Sequence, residues 1–498
     1  MNPKKATGPD KIPPKIIKLS ANIIDSHLTN IINKDISQSK FSEAAKVASV
    51  RPLYKKKGRE KIENYRPVSI LNCFSKVYEK FLLAQFKPFV NNILSDFIAA
   101  YRENYSSSHV LLRLIENWKK ALDNKHLVGT ILMDLSKAFD CIPHDLLIAK
   151  LYAYGFGLKT TTYIYSYLKR RKQNVKIDDI FSELQTLISG VPQGSILGPM
   201  FFNIFLNDLI GAFNKADLYN FADDNTISFA SKNETELLCI LKEESELAVK
   251  WFRQNKMIVN PDKFQSMLLG NFEKDNSNYQ LDIDNNMIET TNYVELLGIK
   301  IDNELKFNDH ISDLCSKASM QLNAISRLKR YMGKNELEIV INSFIYSNFN
   351  YCPLVWNFCS CKSSKKIEQI HKRCLRIILD DNESNYATLL EKNKTCSMEI
   401  KRMRTLAIEI FKTINNLNPN FMKEIFKSKI SPRVRPFDIT VSSHNTATFG
   451  DKSLLTLGPK IWNALPEKVK SETCYVKFKE YIKMWSGPSC NCNACKSL

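Results

Sequence analysis

The sequence predicts an α+β architecture, a sheet backed by helices and followed by a mostly helical C-terminal part, on three observations. β-prone runs such as LVGTILM (127–133) and LYNFADDNTISFA (218–230) alternate with stretches such as NETELLCILKEESELAVKWFRQNKM (233–257), whose apolar residues recur at helical spacing. Strands interleaved with helices in this way build layered α+β domains. Beyond about residue 305 the reading is mostly helical, as in HISDLCSKASMQLNAISRLKRYM (310–332).

Length and composition bound the rest. A chain of 498 residues exceeds one ordinary core and predicts three or four domains or subdomains. Hydrophobic residues at 44% and charged residues at 25% exclude a disordered or fibrous chain. No apolar run approaches a membrane span, since MFFNIFL (200–206) is interrupted at once by Asn207 and Asp208. The start, MNPKKATGPDKIPPK, lacks the apolar segment of a signal peptide, so a soluble intracellular protein is expected. Its formal net charge of +19 attracts a polyanion, with nucleic acid as the leading partner.

In chain order, PPKIIKLSANIIDSHLTNIINKDI predicts helix, and AKVASVRPLYKKKGREKIENYRPVSIL predicts short strands set among Lys and Arg in a lobe suited to phosphates. A buried strand over Leu127–Met133 ends at Asp134. DLLIAKLYAYGF and KTTTYIYSYLKRRKQ read as helices, and GVPQGSILGPMFFNIFLNDLI passes from Gly and Pro punctuation into an apolar helix. LYNFADDNTISFA reads as a β-hairpin with Asp-Asp-Asn at its turn, and Asn233 as the N-cap of the next helix. Ile311, Leu314, Ala318, Leu322, Ile325 and Leu328 form one apolar stripe, with Lys317, Arg327, Lys329 and Arg330 mostly off it, as a solvated or duplex-tracking face.

Two adjacent aspartates in an apolar run need a reason, and an ordinary solvated turn is one. A two-metal site is another: Mg²⁺ takes oxygen ligands, and a phosphoryl-transfer centre draws carboxylates from separate strands. Asp134 at a strand end, with Asp223 and Asp224 at a hairpin tip, supplies such a set.

LMDLSKAFD, SGVPQGSILGP, FADD and YVELLGIKID occur in the order of the palm motifs of reverse transcriptases. KKATGPDKIP and NYRPVSIL are similar to fingers motifs of the non-LTR retrotransposon branch, of the jockey kind, and YCPLVWN with IEQIHKRCLRIIL resembles the helical C-terminal region of those elements. The resemblance implies a right-hand polymerase that uses an RNA template, a DNA primer and dNTPs. It implies fingers over 1–120, palm over 121–300, thumb over 301–345 and a helical C-terminal region over 346–498. It implies two Mg²⁺ ions, or Mn²⁺ in their place, on Asp134, Asp223 and Asp224. Phe139 would stand against the sugar of the incoming nucleotide, and Gln193 and Gly194 beside the nascent base pair. Arg66, helped by Lys55, would grip the triphosphate. Lys263 would stand near the leaving pyrophosphate as general acid, and Leu297 and Gly298 would form the primer-grip turn. Asp140 is read as a helix or turn residue.

The chain is expected to begin inside the first fingers motif, without the endonuclease domain of such elements. Two rival readings stand beside the polymerase: a binding remnant without catalysis and a splicing factor of the group II intron maturase type. Cys359, Cys361, His371 and Cys374, and the trio Cys490, Cys492 and Cys495, lack the paired spacing of a zinc site. The internal set is read as helix-borne residues without a metal.

Overall fold

The computed structural model describes residues 2–55, 58–273, 275, 279–426 and 437–487. The strands are β1 (Val47–Tyr54), β2 (Tyr65–Leu71), β3 (Leu127–Met133), β4 (Leu135–Ser136), β5 (Lys172–Ile177), β6 (Ile180–Phe181), β7 (Gln185–Thr186), β8 (Asp217–Phe221), β9 (Asp224–Ser231), β10 (Ile258–Val259), β11 (Gln265–Leu269), β12 (Gln280–Ile283), β13 (Asn286–Glu289), β14 (Tyr293–Leu296) and β15 (Ile299–Asp302). The chain forms two compact units, each assembled from separate stretches. Among the described residues no helix is long and apolar enough to cross a membrane.

The first unit comprises residues 1–101, 133–214 and 244–263. β1 and β2 form an antiparallel hairpin, and β5 lies parallel to β1 from Val47 opposite Lys172. The helix expected over 159–173 therefore ends at Leu168, because Lys172 and Gln173 already belong to β5. Lys and Arg suit a helix as a prior, but pairing with β1 overrides that propensity here. The N-terminal helical stretch is broken at Ser20 into Pro14–Leu19 and Ala21–Ser37. Phe41 sits edge-on to Tyr78 and Tyr167, with ring centroids 4.9 and 5.0 Å away. The helix Gly198–Leu206 has Pro199 in its first turn, where a missing N–H costs nothing, and buries Phe201, Phe202 and Phe205 completely.

The second unit comprises residues 102–132, 215–243 and 264–498. Its sheet runs β11-β3-β9-β8, with β11 antiparallel to β3 and β8 antiparallel to β9. Thr130 Oγ1 donates to Ile227 O at 3.1 Å and Ser228 Oγ to Gly129 O at 3.1 Å, so residue numbers rise along β3 as they fall along β9. The helix Ser107–Asp123 packs on this sheet, where Trp118 Nε1 donates to Ser228 Oγ at 2.8 Å. Leu237 and Leu241, from the helix Glu234–Gln254, close over Gly129, where an added Cβ would meet each at 2.8 Å. Asn233 caps that helix, its Oδ1 accepting from Glu236 N at 2.9 Å.

The C-terminal part of this unit is helical. Asn308–Leu328 buries Ile311, Ala318, Leu322 and Ile325, with Cys315 added to the expected stripe. Leu328, the last residue of this helix, is exposed, because among the described residues no other element covers the stripe at its end. Glu409, on the helix Met398–Ile414, meets Lys412 Nζ at 2.9 Å, Asn418 Nδ2 at 3.0 Å and His109 Nε2 at 3.4 Å. Burial alone pushes the Glu409 carboxyl up, but His109 and Lys412 outweigh it and hold the group down at about 2. A carboxyl depressed on folding stabilises the fold above its ordinary value of 4.5 and loses that contribution as pH falls toward about 2. Between about pH 5 and about pH 2, the wild-type chain is expected to lose up to about 3 kcal/mol more than Glu409→Gln, as read by urea unfolding at each pH.

Candidate active site

The hairpin carrying the paired aspartates differs from expectation by one step. Phe221 pairs with Asp224, so the two-residue turn is Ala222-Asp223, with Ala222 at φ 58°. Asp224 opens β9, and Asn225 is a buried strand residue opposite Asn220. Asn220 Nδ2 donates to Asn225 Oδ1 at 2.9 Å and to Ala222 O at 2.8 Å, while Asn225 Nδ2 donates to Asp223 O at 3.1 Å. Asn225 thus has turn chemistry in the sequence but serves as half of a buried amide pair that holds the turn carbonyls. Asp223 is exposed and Asp224 half-buried.

Asp134 directly follows β3, as the sequence predicts, and β4 resumes one residue later. β4 pairs with β10, and Asn260 N donates to Asp134 O at 3.1 Å, so the backbone here is held on the side of the 258–263 segment. Lys263, at the end of a 3₁₀ turn over Pro261–Lys263, brings its Nζ to 3.1 Å from Asp134 Oδ2. Both side chains are substantially exposed, at 55% and 35%. Such a pair is worth about 0–1 kcal/mol, so a stronger cation displaces the lysine at little cost.

Several of the expected substrate-contacting residues come together in the first unit. The Phe139 ring stacks on Phe202 at 4.4 Å and 10°, with Tyr101 edge-on at 6.0 Å. Its position is therefore set by aromatic packing. Gln193 follows Pro192 in a loop tied to β2, where Ser69 N donates to Gln193 O at 2.7 Å. Gly194 takes φ 129°, and a Cβ there would lie 2.4 Å from Ser69 O; glycine is required for that approach. Arg66 is exposed three residues earlier on the same strand. Burial pushes the Asp140 carboxyl up from its ordinary value, against the pull of Gln193, of Lys137 and of Lys55, which lies just beyond β1.

Two residues that the sequence reading gave no role hold this loop. Asp140 is a turn residue as expected, but both its carboxylate oxygens lie 3.1 Å from Gln193 Nε2. Glu79, on the helix Cys73–Ile93, is completely buried; its Oε2 accepts from Ile196 N at 2.5 Å and its Oε1 from Tyr167 OH at 3.0 Å. Burial pushes the Glu79 carboxyl up against the pull of Arg171 and of the Ile196 and Leu197 N–H groups. An acid inside a helical pattern gives no sequence signal of this kind.

In the second unit, β14 and β15 pair through Leu296 and Ile299, leaving Leu297 and Gly298 as a two-residue turn with φ 49° and 77°. Positive φ at both positions is the hairpin geometry that glycine favours. Tyr351 OH donates to Leu297 O at 2.7 Å, and Ser107 Oγ lies 3.3 Å from the same hydroxyl. Cys361, His371 and Cys374 are borne on the helix Cys361–Leu379, where His371 Nδ1 meets Tyr386 OH at 2.7 Å and burial pushes the Cys374 thiol up to about 12. Among the described residues no three His, Cys, Asp or Glu side chains are grouped to hold a metal ion as they stand. Cys490, Cys492 and Cys495 lie outside the described residues.

Residues 54–301 match the family model for reverse transcriptase (RNA-dependent DNA polymerase). The chain is 25% identical over 390 residues to a probable RNA-directed DNA polymerase from transposon BS of Drosophila melanogaster, covering 76% of this chain and 43% of that protein. It is 25% identical over 321 residues to the RNA-directed DNA polymerase from mobile element jockey of the same fly, covering 62% and 35%. The chain thus spans less than half the length of these relatives. Among solved structures, an apo telomerase from Candida tropicalis aligns with a TM-score of 0.43 and 12% identity over 77% of this chain and 66% of that one. The family match and the Drosophila relatives agree: the chain carries a reverse transcriptase domain over residues 54–301, similar to those of non-LTR retrotransposon polymerases.

Proposed function

We propose that the chain is an RNA-directed DNA polymerase that extends a DNA primer on an RNA template with deoxynucleoside triphosphates. What supports this reading is the match of residues 54–301 to the reverse transcriptase family, together with the strands that bear its motif carboxylates: Asp134 directly follows β3, and Asp224 opens β9. All three candidate ligands offer hard carboxylate oxygens, the donor set that Mg²⁺ prefers, and the weak Lys263 pair leaves Asp134 open to exchange. Asp134, Asp223 and Asp224 would hold two Mg²⁺ ions, which when bound activate the primer hydroxyl and neutralise charge on the leaving group.

The remaining roles fall to the chain's own side chains. Arg66 and Lys55 would bind the triphosphate, Arg66 with a fork of donors matched to phosphate oxygens. Gly194 lets backbone approach closely, and Gln193 would contact the nascent pair. Phe139, fixed by Phe202, would block a 2′-hydroxyl. Lys263, once released from Asp134, would give its proton to the leaving pyrophosphate. The Leu297-Gly298 turn would bear on the primer backbone. In this reading the 1–120, 121–300 and 301–345 stretches act as fingers, palm and thumb, with the helical region after them, and the surplus of cations supplies phosphate contacts.

Incorporation of dTTP on poly(rA)/oligo(dT) with Mg²⁺ tests the reading. Wild type is expected to extend the primer, and Asp223→Asn to lose at least about 10³-fold in rate while binding the duplex as before. Binding without extension by folded wild type contradicts it. Removing the ring by Phe139→Val is expected to improve the use of UTP relative to dTTP by at least about tenfold, read as the ratio of kcat/KM values.

A further inference from the structure

Asp140 lies outside the carboxylate set that would hold metal, six residues past Asp134, and its side chain is engaged by Gln193. Oδ1 and Oδ2 both lie 3.1 Å from one atom, Gln193 Nε2. The backbone of the Asp140 turn is stapled to the segment leading into Gln193: Ser189 Oγ donates to Asp140 O at 3.0 Å, Val191 N to Phe139 O at 2.9 Å and Gly190 N to Ile142 O at 2.7 Å. A Cβ on Gly190 would strike Asp140 O at 2.6 Å. The aspartate and the glutamine are thus held in one place from both sides of the contact.

An ionised carboxylate only accepts, whereas a carboxamide has one donating and one accepting end. Asp140 therefore dictates which end of Gln193 points inward. Among the described residues Gln193 Oε1 has no hydrogen-bond partner, and the side chain is half-exposed. We propose that Asp140 is a positioning residue that keeps the Gln193 NH₂ turned inward, so that Oε1 is presented to the incoming nucleotide and accepts a hydrogen bond from one of its hydroxyl or amino donors. The proposal rests on the polymerase reading for the identity of the substrate, and it adds a polarity that the Gln193 position alone does not specify. Without the carboxylate, the amide is free to turn over and present a donor where an acceptor is required.

The test is a cycle of near-isosteric variants, Asp140→Asn, Gln193→Glu and the two together, assayed for dTTP incorporation on poly(rA)/oligo(dT) and for thermal unfolding. Asp140→Asn is expected to raise the KM for dTTP about tenfold with kcat changed far less and the unfolding temperature nearly unchanged. Gln193→Glu alone sets two carboxylates against each other and is expected to do worse. In the double variant the introduced carboxamide donates inward to the introduced carboxylate, which again offers an oxygen outward, and KM is expected to return toward wild type. An unchanged KM in Asp140→Asn, a fall in kcat and stability with KM intact, or a double variant no better than the worse single one overturns the proposal. If wild type incorporates nothing, the polymerase reading fails by itself. Equilibrium binding of dTTP to the protein on the same duplex then decides about Asp140: weaker binding by Asp140→Asn supports the proposal, and equal or absent binding in both overturns it.

Discussion

The register between β3 and β9 is the constraint on which the rest of the account depends. It is pinned by buried polar contacts across three strands: Ser266 Oγ donates to Thr130 O at 3.3 Å, Thr130 Oγ1 to Ile227 O, and Ser228 Oγ to Gly129 O. Trp118 locks the last of these from the helix above by donating to Ser228. A slip of one residue would break every one of these bonds and turn the buried face of β9 outward. Gly129 belongs to the same device, because a Cβ there would press on the ends of Leu237 and Leu241 where they close on the strand. The register of this sheet is thereby fixed by groups several residues away from any carboxylate.

The loop that carries Gln193 follows a similar logic with different chemistry. Glu79 is a carboxyl group buried in the first unit, and it is tolerated because its oxygens accept from Ile196 N and Tyr167 OH, with Arg171 nearby. Its removal would leave the start of the Gly198–Leu206 helix without its acceptor. Ser69 and Asp140 then hold the two ends of Gln193, the backbone carbonyl and the side-chain amide. Phe139, between Asp134 and Asp140 in sequence, gets its rigidity from Phe202 on that same helix. One loop, one helix start and one turn are consequently stabilised together.

Much of this was legible in the sequence where local pattern and tertiary demand agree. The strand ending at Asp134, the aspartate hairpin, the Asn233 cap and the Leu297-Gly298 turn are all set by short-range chemistry, β-branched runs or residues that accept positive φ. The misreadings arose where a partner distant in sequence decides. Asn225 has turn chemistry but is held in a strand by Asn220, and Lys172 and Gln173 continue a helical pattern but are claimed by β1. Leu328 fits the apolar stripe of its helix, yet as the helix's last residue it is left exposed. The supports of the candidate site, Glu79 and Asp140, were illegible because an isolated acid carries no mark of what will surround it. Gln193 and Phe139 were singled out through motif resemblance alone, because neither a glutamine in a Gly-Pro loop nor a phenylalanine after a strand has a local pattern that separates it from ordinary turn and core residues.

The most direct test of the central claim replaces Mg²⁺ with Fe²⁺ in the presence of ascorbate and peroxide and maps the resulting backbone cuts by mass spectrometry. Hydroxyl radicals formed at a bound ion cut the chain only close to it. The account predicts cuts in two segments at once, around Asp134 and around Asp223-Asp224, both suppressed by excess Mg²⁺ and both lost in Asp223→Asn. Cuts at one segment alone, or cuts at both that Mg²⁺ does not suppress, would contradict a shared metal site.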